Sequence, residues 1–251
     1  MTKGYVVVAS RKAFYYYSAL NLIASIQEHD PDAKVCLVAE QWMIDLGGTQ
    51  FVDDIVIVPP DKVHQRTKLW GMAMSPYDQT LYIDADCEVH HDDLRTCWEK
   101  FRDKDVLFSG LDDERSYIFA EYYFGPEQNS FDYCGAVCLY NSGKPEVKEF
   151  IQAWYELTIA QMEGEWWPTD ENGERDYVNY PITLKRWDQF SLWYMLNRDP
   201  KWANLKHGLI DEEYNCRWNN FHGYQFDHCR GLPPIIYHYS NSGPKRERMS
   251  G

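Results

Sequence analysis

The segment Thr80-Leu81-Tyr82-Ile83-Asp84-Ala85-Asp86 decides the fold, because a run of strand-forming residues leads directly into two carboxylates. Residues 80–83 are predicted to form a strand buried on both faces, since most of its positions are apolar. In an open α/β sheet, ligands bind beyond the carboxyl ends of the strands. Side chains two positions apart in an extended chain lie on one face. The segment therefore predicts that Asp84 and Asp86 meet a ligand at the edge of a sheet.

Two carboxylates held this close together repel one another unless a cation lies between them. A hard divalent ion that joins carboxylate and diphosphate oxygens removes this repulsion, so we expect Mn²⁺ or Mg²⁺ at Asp84 and Asp86. The alternative is a polar turn after a strand, which is common for an isolated Asp-x-Asp. The apolar residues before the pair, and Cys87-Glu88-Val89 after it, favour the metal site.

Strand and helix patterns alternate around this segment and predict one α/β domain over residues 1–251, with a right-handed, mainly parallel sheet. We expect strands at residues 5–9, 35–39, 55–58, 80–83, 106–108, 133–140 and 235–238, and helices at residues 13–28, 68–74, 147–161 and 188–196. Residues 163–183 are rich in Gly, Pro and aromatic residues and are expected to form a loop or lid. Trp166 and Trp167 in this stretch form either an acceptor platform or a buried anchor, and we expect at least one to be buried.

The composition indicates an acidic globular protein. The formal net charge is −14, which argues against binding of bare nucleic acid and is compatible with a divalent metal. The sequence shows neither a signal peptide nor an apolar stretch of membrane-spanning length, so we expect a cytoplasmic protein, in the host cytoplasm if it is viral. The seven cysteines have no disulfide-like spacing and are expected to be buried thiols in a reducing compartment.

Residues 81–86 resemble the DxD segment of GT-A glycosyltransferases, and most of all the retaining family that includes glycogenin and the bacterial lipooligosaccharide galactosyltransferases. Further features agree in order and approximate spacing, and together they span nearly the whole chain: Lys68-Leu69, residues 131–141 around Gly135, Trp187-Asp188-Gln189, and Ile236-Tyr237-His238 followed by Gly243-Pro244-Lys245. The resemblance implies a GT-A (Rossmann-like) α/β fold with a mixed, mainly parallel sheet and helices on both faces. It also implies a nucleotide-binding half at residues 1–100 and an acceptor half at residues 101–251 that ends in a closing tail.

The resemblance also implies roles for individual residues. Asp84, Asp86 and His238 would hold the metal, although a histidine at a strand end is otherwise often a core residue. Lys68 and Lys245 would neutralise the diphosphate. The residues expected to bind the nucleotide sugar are Ala9, Ser10, Tyr15, Lys68, Asp84, Ala85, Asp112 and Lys245. Ala9 and Ser10 are included because they end the first strand. Tyr15, or its neighbour Phe14, stacks on the base or packs in the core.

The expected catalytic residues are Asp188, Gln189 and Asp132. Asp188 either orients the donor sugar or caps its helix, and Gln189 would face the anomeric carbon. The family usually has Asn-Ala-Gly where this chain has Tyr133-Cys134-Gly135, so Asp132 or Asn141 would replace the lost hydrogen bond to the sugar.

Together these features predict a metal-dependent glycosyltransferase that uses a nucleotide sugar, with UDP favoured. The resemblance implies retention, either through a covalent intermediate on Asp188 or Asp132 or, as we favour, by attack from the leaving-group face. Inversion would need one of the same carboxylates as general base. The acceptor is not identified by the sequence, and modified DNA stays open. Two other functions also stay open: a sugar-nucleotide nucleotidyltransferase and a non-catalytic carbohydrate-binding protein.

Overall fold

The computed structural model describes residues 1–111, 132–216, 218–221, 224–227 and 233–239. The strands are β1 (Lys3–Ala9), β2 (Val35–Ala39), β3 (Asp54–Ile57), β4 (Gln79–Asp84), β5 (Cys87–Val89), β6 (Val106–Leu111), β7 (Asp132–Tyr140), β8 (His207–Leu209), β9 (Trp218–Phe221), β10 (Tyr224–Asp227) and β11 (Ile236–His238). The α-helices are α1 (Ala13–His29), α2 (Gln41–Ile44), α3 (Thr67–Ala73), α4 (Pro145–Glu163) and α5 (Asp188–Asn197). Short 3₁₀ helices cover Pro60–Lys62, Asp92–Phe101, Ile182–Arg186, Pro200–Trp202 and Glu212–Asn215.

The central sheet has seven strands in the order β3-β2-β1-β4-β7-β6-β8. The first four strands in this order are mutually parallel, and β6 is parallel to β8. Only β7 runs against its neighbours β4 and β6. The sheet is therefore mixed and mainly parallel, as the resemblance predicts.

Helices cover both faces of this sheet because the strand residues alternate between two apolar cores. Val7 and Ile83 pack on the face that α1 covers, whereas Val8 and Tyr82 pack on the face that α3 and α4 cover. Gly71 allows α3 to lie close to β1, since a Cβ at this position would be 2.5 Å from the Val8 side chain. Fully buried strands of this kind are typical of a parallel sheet covered on both sides.

A second, two-stranded sheet brings the C-terminal part of the described chain to the acidic segment. β11 pairs antiparallel with β5, so His238 lies opposite Cys87 and Tyr237 opposite Glu88. The Tyr239 N–H also donates to the Asp86 carbonyl oxygen at 2.9 Å. This pairing places His238 beside the Asp84-Ala85-Asp86 segment although about 150 residues separate them in the sequence.

The elements that the sequence predicts are present within a few residues of their expected bounds. The additional strands β5 and β8–β10 contain three or four residues each, which is too short for a recognisable apolar pattern. The predicted loop contains a bridge between Thr169 and Arg175. Trp167 is buried there, which agrees with the expectation that at least one indole anchors the loop.

One expectation about the cysteines is wrong. Cys36, Cys87, Cys97, Cys134 and Cys138 are free and buried, but Cys216 is disulfide-bonded. Pairing depends on which loops meet in the folded chain, and linear spacing does not reveal that. In the part of the chain that the structure describes, no helix combines the length and the apolar character that crossing a bilayer requires.

Candidate metal and diphosphate site

The acidic segment lies at the carboxyl edge of the central sheet. β4 ends at Asp84, and its register with β1 pairs Val8 with Asp84, which places Ala9 and Ser10 directly beside the segment. Ala85 is buried, whereas Asp84 and Asp86 are partly exposed. The edge where ligands bind in open α/β sheets therefore carries two carboxylates and the backbone of the first strand.

Asp86 and His238 form a pair whose geometry favours a cation. His238 Nε2 lies 3.4 Å from Asp86 Oδ1. The other ring nitrogen, Nδ1, lies 3.1 Å from the side-chain oxygen Oδ1 of the buried Asn215. Because an amide oxygen only accepts hydrogen bonds, Nδ1 is the donor, and a neutral His238 presents the Nε2 lone pair to the carboxylate. Two facing acceptors need a proton or a metal ion between them.

The donor set fits a divalent metal. One ligand atom each from Asp86, Cys87 and His238 lies within 4.8 Å of the others. Cys87 is buried, and its thiol is the donor least suited to Mn²⁺ or Mg²⁺, since these hard ions prefer oxygen ligands. The carboxylate and the imidazole remain, and the bond from Nδ1 to Asn215 is the type of outer contact that orients metal-binding histidines. Asp86 and His238 are thus suited to Mn²⁺ or Mg²⁺.

Asp84 is not one of the three residues of this group. Lys68 Nζ lies 3.3 Å from Asp84 Oδ2, and the Tyr82 hydroxyl donates to Asp84 Oδ1. Burial raises the pKa of Asp84, and Asp86 adds to the rise, whereas Lys68 opposes it. The structure therefore gathers Asp84, Asp86 and His238 in one region, with Asp86 and His238 as the closest pair.

Lys68 is the cation of the site. Its Nζ also lies 3.5 Å from Asp188 Oδ2 and 3.3 Å from the Gly135 carbonyl oxygen. Burial lowers the pKa of Lys68, but Asp84 and Asp188 outweigh burial and raise the pKa above the usual lysine value. The ammonium is therefore charged at neutral pH, with an environment that lets it bind the oxygens of an anionic ligand.

Asp188 is buried at the start of α5 and faces two cations. Trp187 occupies the N-cap position, and Arg66 Nη2 lies 3.5 Å from Asp188 Oδ1. Burial disfavours the charged form, yet Lys68 and Arg66 hold the pKa of Asp188 below its usual value. Asp188 is thus an ionised partner of these two cations, and the alternative in which its side chain caps the helix is not observed.

Packing behind Asp188 fixes its position. The Trp154 indole N–H donates to the Asp188 carbonyl oxygen at 2.9 Å. Gly135 lies against the same indole, since a Cβ at residue 135 would be 2.8 Å from Trp154 Cη2 and 3.8 Å from Lys68 Nζ. A glycine at this point lets β7, α4 and Lys68 approach one another closely.

The remaining predicted residues are placed as follows. Tyr15 is half-buried, and its ring meets the exposed Phe14 edge-on at 5.6 Å between centroids. Gln189 is half-buried next to Asp188. The backbone of Asp132 begins β7. Asp112 and Lys245 lie outside the described residues.

Sequence reasoning missed Arg66 and Asn215. Arg66 lies two residues before Lys68, so the basic Arg-Thr-Lys pattern was a usable signal. Asn215 follows an acidic turn and gave no signal, because its role depends on the pairing of β11 with β5. Tyr82 was predicted only as a strand residue, and its hydroxyl reaches Asp84.

The fold is that of the GT-A glycosyltransferases. The structure is similar to the galactosyltransferase LgtC, solved in complex with donor and acceptor sugar analogues, with a TM-score of 0.54, 15% identity, and coverage of 96% of this chain and 87% of that chain. It is also similar to mouse xyloside xylosyltransferase 1, with a TM-score of 0.53, 11% identity, and coverage of 97% of this chain and 100% of the other.

A third similar structure is the glycosyltransferase GlyE of Streptococcus pneumoniae, with a TM-score of 0.56 and 18% identity. The match covers 94% of this chain and 55% of GlyE. No family model matches the sequence, and no curated protein is significantly similar to it. At these identities the similarity establishes the fold alone, and it does not assign roles to the residues of the site.

Proposed function

We propose that this chain is a metal-dependent glycosyltransferase that transfers a sugar from a nucleotide sugar, with UDP as the favoured nucleotide. The observation that carries the proposal is the meeting of Asp86 with His238, beside the buried Lys68, at the carboxyl edge of a GT-A sheet. A diphosphate needs a metal ion and a fixed cation, and these residues offer both. We further propose that residues 1–251 form one domain, with the nucleotide half at residues 1–100.

In this proposal Asp86 and His238 hold Mn²⁺ or Mg²⁺, and Asp84 joins them while it also contacts the ribose. The bound metal would act as a Lewis acid that stabilises negative charge on the departing nucleoside diphosphate. Lys68 would bind the same diphosphate, since its ammonium lies close to both Asp84 and Asp188. In the bound state an oxygen of the diphosphate would share this ammonium with the two carboxylates.

The nucleoside would lie over the end of β1. Ala9, Ser10 and Ala85 offer backbone groups at the carboxyl edge of the sheet, and Tyr15 offers a half-buried ring for the base. We also propose that Asp112 and Lys245 contact the donor. Each of these assignments depends on the resemblance to retaining GT-A enzymes.

We propose that transfer proceeds with retention, by attack from the leaving-group face. The ion pairs of Asp188 with Lys68 and Arg66 support this route, because a carboxylate whose two oxygens face cations is a weak nucleophile. Gln189 would stand by the anomeric carbon, and Asp132 would hydrogen-bond the sugar. The acceptor hydroxyl would transfer its proton to the departing phosphate oxygen as the new bond to the anomeric carbon forms and the old one breaks.

A donor-hydrolysis screen tests the proposal. The purified protein is incubated with Mn²⁺ and a panel of UDP-, GDP- and CDP-sugars, and free sugar and nucleotide are measured. We expect slow, Mn²⁺-dependent release of one sugar, since transferases of this kind hydrolyse their donor when no acceptor is present. Release of a sugar phosphate with nucleoside monophosphate would instead indicate a nucleotidyltransferase-like reaction and contradict the proposal.

A further inference from the structure

A cleft that carries two cations lies where the 3₁₀ turn Ile182–Arg186 meets Gln65, the residue before Arg66. It has a volume of about 400 Å³ and is lined by Gln65, Met162, Lys185 and Arg186. This volume is within the range of small-molecule sites in proteins. The lining combines one apolar side chain with two cations and an amide, which suits a small polar ligand with a negative charge.

The side chains of Lys185 and Arg186 are available to a ligand. Among the described residues, neither side chain forms an ion pair or a hydrogen bond with the rest of the protein. Two adjacent cations without a partner among the described residues, in a concave site, favour the binding of an anion.

Arg66 connects this cleft to the proposed catalytic site. Its Nη2 donates to the Arg186 carbonyl oxygen and also lies 3.5 Å from Asp188 Oδ1. The Arg66 Nε is buried and has no hydrogen-bond partner. The Arg186 backbone is therefore joined through Arg66 to Asp188, so the turn that lines the cleft is also tied to the proposed donor site.

The backbone that carries the two cations is held firmly. The buried Gln161 donates through Nε2 to the carbonyl oxygens of Leu184 and Lys185 at 3.1 Å each, and of Trp187 at 2.9 Å. A fixed backbone lowers the entropic cost of binding, because the 3₁₀ turn Ile182–Arg186 need not be ordered by the ligand.

We propose that this cleft is an acceptor subsite that binds an oxyanion, a phosphate or a carboxylate, on a carbohydrate acceptor. The inference rests on the proposed glycosyltransferase function, because it names a group on the second substrate. Lys185 would contact the anion as a point charge, whereas the Arg186 guanidinium offers paired N–H donors that match the oxygens of phosphate or carboxylate. The neutral parts of the sugar would lie against Gln65 and Met162.

Isothermal titration of the full chain with three probes tests this proposal: glucose 6-phosphate, glucuronate and glucose. We expect the wild type to bind at least one of the anionic sugars more tightly than glucose. The stronger of the two identifies phosphate or carboxylate as the recognised group. Lys185→Ala and Arg186→Ala should each weaken that binding about tenfold, the effect of losing one charge-assisted contact. Lys148→Ala removes an exposed lysine on α4, outside the cleft lining, and should leave the binding unchanged.

Three results would overturn the subsite. One is equal affinity of the wild type for glucose and both anionic sugars. The second is unaltered binding in both cleft variants, with folding checked by thermal melting. The third is tighter binding of a short single-stranded oligonucleotide that the same variants lose, since this would indicate a polyanion ligand. A separate titration of the wild type with UDP and Mn²⁺ distinguishes the two proposals. If UDP does not bind but the anionic sugar does, the proposed transferase function is contradicted. If UDP binds but neither anionic sugar binds more tightly than glucose, only the subsite is contradicted.

Discussion

Lys68 is the residue on which the electrostatics of the site depend. Its ammonium lies within 3.5 Å of carboxylate oxygens of both Asp84 and Asp188, and all three side chains are largely buried. In the protein without a ligand, this ammonium is the counter-charge of Asp84 and shares Asp188 with Arg66. In a donor complex the same ammonium would be available to the diphosphate.

Replacing Lys68→Met should therefore destabilise the protein. Removing one partner from a buried ion pair costs about 3 to 5 kcal/mol, and we expect a loss in this range in the free energy of unfolding by urea denaturation at pH 7. Because the pKa of Asp188 is lowered in the folded protein, its contribution is complete above the usual aspartate pKa and is lost as the pH falls through the lowered value. The difference between wild type and variant should accordingly shrink in acid.

Lys148→Met is the matched control for this measurement, since Lys148 is exposed and its loss should change stability by no more than about 0.5 kcal/mol. Equal stability of wild type and Lys68→Met at pH 7 would show that the two carboxylates are not buried against this lysine.

Asn215 would act on the proposed metal site indirectly, through His238. Its side-chain oxygen accepts from His238 Nδ1 at 3.1 Å and so fixes the tautomer that leaves Nε2 free. We expect Asn215→Leu to weaken Mn²⁺ binding about 10- to 100-fold, the usual effect of losing such an outer contact. Asn215→Asp keeps an acceptor at this point and should retain the affinity. Mn²⁺ titration followed by electron paramagnetic resonance measures both variants, and equal affinity in wild type and Asn215→Leu would remove Asn215 from the metal site.

At the scale of elements, the end of α4 positions the start of α5. Gln161 is fully buried on α4, and its three hydrogen bonds hold the backbone from Leu184 to Trp187 directly before Asp188. Trp154, two turns earlier on the same helix, donates to the Asp188 carbonyl oxygen. Two side chains of one helix therefore determine where Asp188 meets Lys68.

We expect Gln161→Leu to lower the free energy of unfolding by about 1 to 3 kcal/mol, because buried carbonyl groups lose their donor. Donor hydrolysis should also slow as Asp188 loses its fixed position. Gln152→Leu is the matched control on α4, since Gln152 is only half-buried and its side chain donates to Glu156 one turn along the same helix. If the two leucine variants had equal stability, the account of Gln161 as a positioning residue would be wrong.

The sequence predicted these elements better than their mutual contacts. The buried strands β1, β2 and β4 are recognisable because each is a continuous apolar run. Strand β5 has three residues, and its pairing with β11 gives no local signal, yet this pairing is what brings His238 to Asp86. The resemblance to GT-A enzymes indicated His238, whereas the residue that orients it, Asn215, became visible only in three dimensions.

At the scale of the whole molecule, the strand order explains why the site lies where it does. β1 and β4 are neighbours in the middle of the sheet, and β7 beside them contributes Gly135. Their ends form one edge to which α3 adds Lys68 and α5 adds Asp188. The acidic composition is compatible with a divalent metal, but it does not reveal the cations at this edge, because a net charge carries no information about position.

The central claim is that Asp86 and His238 hold a metal that binds the diphosphate of a nucleotide. Titration of the wild type with UDP, in Mn²⁺ and again with excess EDTA, tests it most directly, with Asp86→Asn as the variant. We predict binding that requires Mn²⁺ and that Asp86→Asn weakens at least about tenfold, which corresponds to about 1.4 kcal/mol. Absence of UDP binding in Mn²⁺, or binding of equal strength in EDTA, would contradict the account.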